Sequence, residues 1–162
     1  MKRKRKKESK LPLIIFIILT LFSFISLGVL NLIQYSNYVV ADVLQVSGTF
    51  VIVGHNCTAI IAQTSPERAY SIELGLKRII EERPNTHDIF ASVLRTYNIT
   101  LDSVAIERFD GNYYYANLYL RSGNKILKID AKPSDAIALA LRMNSTIYIN
   151  KTLLEEIGRN VC

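Results

Sequence analysis

Ser103–Phe109 (SVAIERF), Asn112–Leu120 (NYYYANLYL) and Lys125–Ala131 (KILKIDA) are three β-rich runs separated only by turn residues. Asp110-Gly111 is a tight-turn signal, and Ser122-Gly123-Asn124 turns the chain a second time. Together they read as an antiparallel meander. Toward the C-terminus, Lys132-Pro133-Ser134-Asp135 opens a helix that continues through Ala136–Met143. Its alternation of alanine with larger residues imitates a strand, but the alanine content, the cap and the proline decide for helix. Thr146–Ile149 reads as a short strand and Lys151–Ile157 as a last helical piece. Toward the N-terminus, Thr86 is expected to cap a helix whose buried stripe is Ile89, Phe90, Val93, Leu94 and Tyr97. Ser65 and Pro66 open an earlier helix with Ala69, Ile72, Leu76, Ile79 and Ile80 on its buried face. Val39–Val46 and Thr49–Val53 form a hairpin around Ser47-Gly48, and Thr58–Thr64 is a third strand. The expected fold is α+β: a mixed, largely antiparallel sheet with three inserted helices.

Ahead of this domain, expected from 39 to 162, the chain changes character twice. Residues 1–10 (MKRKRKKESK) are nearly all charged, and residues 11–33 carry no charge. At roughly 1.5 Å per residue the uncharged stretch would reach about 34 Å, against a hydrocarbon core of about 30 Å. A single transmembrane helix over 11–34 is therefore expected, with Tyr35 and Tyr38 near its far interface. A cleaved signal peptide ending at Val39-Val40-Ala41 is the alternative, but the apolar stretch exceeds a usual signal core. Lys2, Arg3, Lys4, Arg5, Lys6, Lys7 and Lys10 would hold the tail in the cytoplasm, against anionic lipid, and place the domain outside the cell membrane.

Of 20 basic and 14 acidic residues, seven and one lie in that tail, which leaves 13 of each in the remainder. The domain is electrically neutral, so the net charge of +6 is not a nucleic-acid footprint. Four N-x-S/T sequons, at Asn56, Asn98, Asn144 and Asn150, fit an outside domain. Cys57 and Cys162 could form one disulfide, or remain one buried and one free thiol.

The chain shows no Gly-rich phosphate loop, no metal-type Cys/His cluster and no placeable Ser-His-Asp pattern. One grammar is used twice: Pro84-Asn85-Thr86-His87-Asp88 and Pro133-Ser134-Asp135 each put proline, a hydroxyl and an aspartate at a helix start. Arg83 precedes the first, Lys132 precedes the second, and Asp130 lies just upstream. Capping alone explains such pairs, since an acid in the first turn satisfies backbone N–H groups and the helix dipole. Convergence of the two helix starts would instead bind a phosphate or hold a divalent metal. Tyr113, Tyr115, Asn117 and Tyr119 share one strand face, suited to packing, to an oligomer contact or to base stacking.

Ile80–Leu94 (IEERPNTHDIFASVL) and Ile129–Arg142 (IDAKPSDAIALALR) closely resemble the two hallmark segments of the bifunctional nuclease family, over roughly residues 43–157. The resemblance implies a compact α+β domain, often oligomeric, some of whose plant members are credited with RNase and DNase activity. By position it points to Thr86, His87 and Asp88, and to Asp130, Ser134 and Asp135, with Glu67 as a further acid. Three departures stand out. Gln63-Thr64-Ser65-Pro66-Glu67-Arg68-Ala69 replaces an Ile-Gly-x-x-Glu-Ala entry to the first helix. Lys132 stands where arginine is commoner, which removes a bidentate phosphate fork. Most relatives are soluble and intracellular.

Two functions follow as expectations. The first is Mg²⁺- or Mn²⁺-dependent hydrolysis of DNA or RNA phosphodiesters. Asp88, Asp130 and Asp135 would hold metal, His87 would assist proton transfer, and Arg83, Thr86, Lys132 and Ser134 would contact substrate. The second is a membrane-tethered binding domain in which the same motifs cap helices and organise a homo-oligomer.

Overall fold

The structure, a computed structural model, describes residues 14–23 and 36–162. It divides into two units, Met1–Ser36 and Asn37–Cys162. In the first, helix α1 covers residues 14–23. Thr20 there donates its hydroxyl to the Ile17 carbonyl at 2.9 Å. The expected transmembrane helix over 11–34 and the single-pass localisation built on it are corrected: among the described residues no helix is long and apolar enough to cross a membrane. The rest of the expected tail and span, 1–13 and 24–34, lies outside the described residues.

The second unit is α+β. Its elements are β1 (Tyr38–Ser47), β2 (Phe50–His55), β3 (Thr58–Gln63), α2 (Pro66–Lys77), α3 (Thr86–Thr96), β4 (Thr100–Phe109), β5 (Tyr114–Ser122), β6 (Lys125–Ala131), α4 (Pro133–Met143), β7 (Thr146–Asn150), α5 (Lys151–Ile157) and β8 (Arg159–Asn160). The strands form one mixed sheet in the order β6-β5-β4-β7-β1-β2-β3-β8. Local turn chemistry sets most of it, with Gly48 at φ 59°, Gly111 at φ 98° and Gly123 at φ 56° supplying conformations that residues with a Cβ adopt rarely. The parallel pair, β4 with β7, needs a crossover, and α4 provides it.

Helix α4 lies against β4, β5 and β7, while α2 and α3 both pack on α4. Ile72, Leu139, Ile149 and Val104 are fully buried where these layers meet. Two expected buried faces are corrected. Helix α2 ends at Lys77, with Arg78 left-handed, so Ile79 and Ile80 fall beyond it and are exposed, as is Leu76. Its buried residues are Ala69, Ser71, Ile72, Leu74 and Gly75. Gly75 allows the close approach to α4: a Cβ there would sit 2.9 Å from Arg142 Nη1 and 3.1 Å from Leu141 Cβ. Helix α3 buries Asp88, Ala91 and Leu94, leaving Ile89, Phe90, Val93 and Tyr97 exposed. Its face is turned by an ion pair between Asp88 and Arg142 at 2.5 Å, with both side chains about 5 % exposed.

The sequon asparagines have backbone duties. Asn56, Asn98 and Asn144 take left-handed turns (φ 51°, 52° and 54°), and Asn150 caps α5. Cys57 and Cys162 are joined by a disulfide with Cα atoms 5.2 Å apart, across 105 residues. It lies beside the short pairing of β8 with β3.

Candidate functional site

The first turns of three helices meet around one open cleft of about 600 Å³. Helix α2 supplies Glu67, Arg68 and, one turn on, Ser71; α3 supplies Thr86 and His87 beside its cap Asn85; α4 supplies Asp135. Pro66 and Pro133 start α2 and α4 at a position where a missing N–H costs nothing. Helix N-termini carry partial positive charge, so three of them around one cleft favour an anion.

His87 is the hub. Its Nδ1 lies 2.9 Å from Ser71 Oγ, and its Nε2 lies 3.4 Å from Asp135 Oδ1. Arg68 donates from Nε to the same carboxylate oxygen at 3.1 Å. With an acceptor-only carboxylate beside Nε2, the ring proton resides there and Nδ1 is the basic nitrogen. Burial pushes the His87 pKa below its ordinary value; the Asp135 charge opposes this and the Arg142 charge adds to it. The ring is therefore neutral near pH 7 and able to accept a proton. Glu67, on the cleft rim, is held below the usual carboxylate range by a backbone N–H and the Ser65 hydroxyl.

The other expected residues scatter. Thr86 lies in the cleft but does not cap α3. That role belongs to Asn85, whose Oδ1 accepts from His87 and Asp88 N–H while Asp88 Oδ2 accepts from Asn85 N–H. Asp88 is thus a capping and ion-pairing residue. Asp130, Lys132 and Ser134 line a second cavity of about 460 Å³ with an apolar floor. Arg83 is exposed between α2 and α3, outside the residues lining the cleft.

Asp135, Asp130 and Asp88 consequently line three different cavities. Asp88 has one oxygen on Arg142 and the other on a backbone N–H, and Asp135 faces Arg68 and His87. The three carboxylates do not fit a shared Mg²⁺ or Mn²⁺, and among the described residues no group of three His, Cys, Asp or Glu is placed to hold a metal ion. The tyrosine row also has internal partners. Tyr115 donates to Asp110 at 2.7 Å under the Arg108 guanidinium, and Tyr119 reaches Glu107 at 3.4 Å.

Arg68 and Ser71 are two cleft residues that contact His87 or Asp135 and were not singled out in the sequence. Their spacing of three puts them on one helix face, but that face carries chemistry only once α3 brings His87 to it.

Two proteins of Mycobacterium tuberculosis, the uncharacterized proteins MT1877 and Rv1829, are each 30 % identical to the chain over 90 residues, 56 % of this chain and 53 % of theirs. The chain thus spans about half the length of these curated relatives. The family model described as the bifunctional nuclease domain matches residues 57–161, which contain α2, α3, α4 and every residue of the cleft. The chain belongs to the bifunctional nuclease domain family.

Proposed function

We propose that the cleft binds a phosphodiester of DNA or RNA and hydrolyses it, with Arg68 holding the phosphate and His87 moving the proton. The observation that supports this reading is the meeting of three helix N-termini around a neutral imidazole, a guanidinium and a carboxylate. Positive helix ends and Arg68 suit a phosphate oxygen. Burial keeps His87 in its proton-accepting form. The name of the family is a second support. Neutral charge outside the basic tail suits recognition of one or two phosphates at a cleft rather than tracking of a long backbone.

The test uses the full chain on single- and double-stranded DNA and RNA, with Mg²⁺, with Mn²⁺ and with chelator. Cleavage that persists in chelator and is lost in His87→Ala and Arg68→Gln, with circular dichroism unchanged, is the expected result. Absence of cleavage in every condition, or equal rates for wild type and both variants, would remove the nuclease reading.

A further inference from the structure

The cleft holds a proton path with a hydroxyl at its end. Ser71 sits in α2 one turn beyond Arg68, and it borders the cavity although the residue is only 5 % exposed. A mid-helix serine commonly returns its hydroxyl to the carbonyl four residues earlier. Here the Ser71 hydroxyl is at His87 Nδ1 instead, 2.9 Å away. The opposite ring nitrogen faces Asp135 at 3.4 Å, so the order is hydroxyl, imidazole, carboxylate. The serine backbone is also fixed, because its carbonyl accepts from Arg142 Nη1 at 2.9 Å and Arg142 is in turn anchored on Asp88. Arg68 lines the same cleft as Ser71 and donates to the Asp135 carboxylate, a cation available to the charge that develops on a phosphoryl group.

We infer that Ser71 is the nucleophile of the cleft, with His87 as its base and Asp135 as the group that orients the ring. This rests on the hydrolytic reading above and deepens it. In the first step Ser71 Oγ forms a bond to phosphorus while the bond from phosphorus to the leaving nucleoside oxygen breaks. The Oγ proton passes to His87 Nδ1 and from there to the leaving oxygen. In the second step a water oxygen attacks phosphorus, its proton goes to Nδ1, and Ser71 Oγ leaves and takes that proton back. The sum is one diester and one water giving a monoester and an alcohol, without any redox partner. Nε2 keeps its proton throughout, and Asp135 stabilises the transient imidazolium.

The full chain is assayed with bis(p-nitrophenyl) phosphate and separately treated with a fluorophosphonate, followed by peptide mass spectrometry. A burst of nitrophenol equal to the enzyme concentration, a Ser71→Ala rate lower by about 10³-fold or more, and a Ser71 adduct that needs His87 are expected. Turnover by Ser71→Ala within about 10-fold of wild type would make Ser71 a holder of the ring only, and would overturn the inference while leaving the nuclease reading intact. Adduct at Ser71 without any diester turnover would keep Ser71 as the nucleophile and remove the phosphodiester substrate. Failure of the fluorophosphonate to modify wild-type Ser71 overturns the inference without recourse to any variant, so a variant that does not fold leaves the test intact.

Discussion

Replacing Arg142 by Met keeps the aliphatic stem and removes the guanidinium that binds three elements together. Three bonds go: Nε to Asp88 Oδ1 at 2.5 Å, Nη1 to the Ser71 carbonyl at 2.9 Å, and Nη1 to the Ala138 carbonyl at 2.8 Å. Asp88 remains, with its side chain 5 % exposed and the Asn85 N–H as its remaining donor among the described hydrogen bonds. Breaking a buried pair from one side costs about 3–5 kcal/mol. A partial offset exists, because Arg142 Nη2 is buried without a partner among the described residues, and removing it relieves about 1–3 kcal/mol. The expected net loss is about 2 kcal/mol, a large share of a typical 5–15 kcal/mol. With a urea slope of about 2 kcal/mol/M, the midpoint of the full chain followed by circular dichroism should fall by about 1 M. Adding Asp88→Asn removes the stranded charge, so the double variant should be more stable than Arg142→Met alone. A midpoint within about 0.5 M of wild type, or strictly additive losses in the double variant, would refute the role of this pair.

Reaction rate should rise with pH as His87 loses its proton, with a midpoint below about 6.5; Asp135→Asn removes the charge that opposes the lowering, so a kcat/KM profile should shift its acidic limb to lower pH. The same depressed pKa means that the His87 contribution to stability is complete above about pH 6.5 and declines as pH falls toward the folded-state value, a sensitivity that His87→Asn should remove from urea midpoints measured between pH 7 and 5. Asn85→Ala should cost about 1–2 kcal/mol in the same unfolding assay, whereas Thr86→Ala should change it by less than about 0.5 kcal/mol, since Asn85 caps α3. Reduction of the Cys57–Cys162 bond, or Cys162→Ser, should lower stability by up to about 4–5 kcal/mol, the loop-closure value for its separation of 105 residues.

The meander β4-β5-β6 and the hairpins at the other end of the sheet were legible because adjacent strands are joined by turns whose residues announce themselves: Asp110-Gly111, Ser122-Gly123, Ser47-Gly48. The starts of α2, α3 and α4 were legible for the same local reason. What failed was rotation. The Ile89-Phe90-Val93 stripe of α3 is the more apolar face, yet the helix turns Asp88 and Ala91 inward, because Asp88 meets Arg142 across 54 residues of sequence. Nothing near Asp88 in the chain encodes that partner. Among the candidate residues, His87 and Asp135 were placed together as the repeated motif suggested, and Thr86 shares their cleft. Asp88, Asp130, Lys132 and Ser134 went elsewhere, since the same Pro-hydroxyl-Asp grammar serves capping in α3 and a cleft in α4. Ser71 acquires significance only from a ring delivered by a different helix.

The short pairing of β8 with β3 has a colloidal consequence. Beyond Thr58 and Ala59, which pair with Asn160 and Arg159, β3 is the outermost long strand of its side of the sheet. Its sequence, TAIIAQ, has no charge and strong β character, the composition of a self-templating segment. At the opposite border, β6 carries Lys125 and Lys128, charges that discourage a second chain from adding on. The border at β3 has no such residue, and the C-terminal residues clipped to Cys57 stand in for it. Opening that clip would extend the free edge from residues 60–63 to the whole of β3, so reduction should be recorded first as light scattering and only afterwards as unfolding.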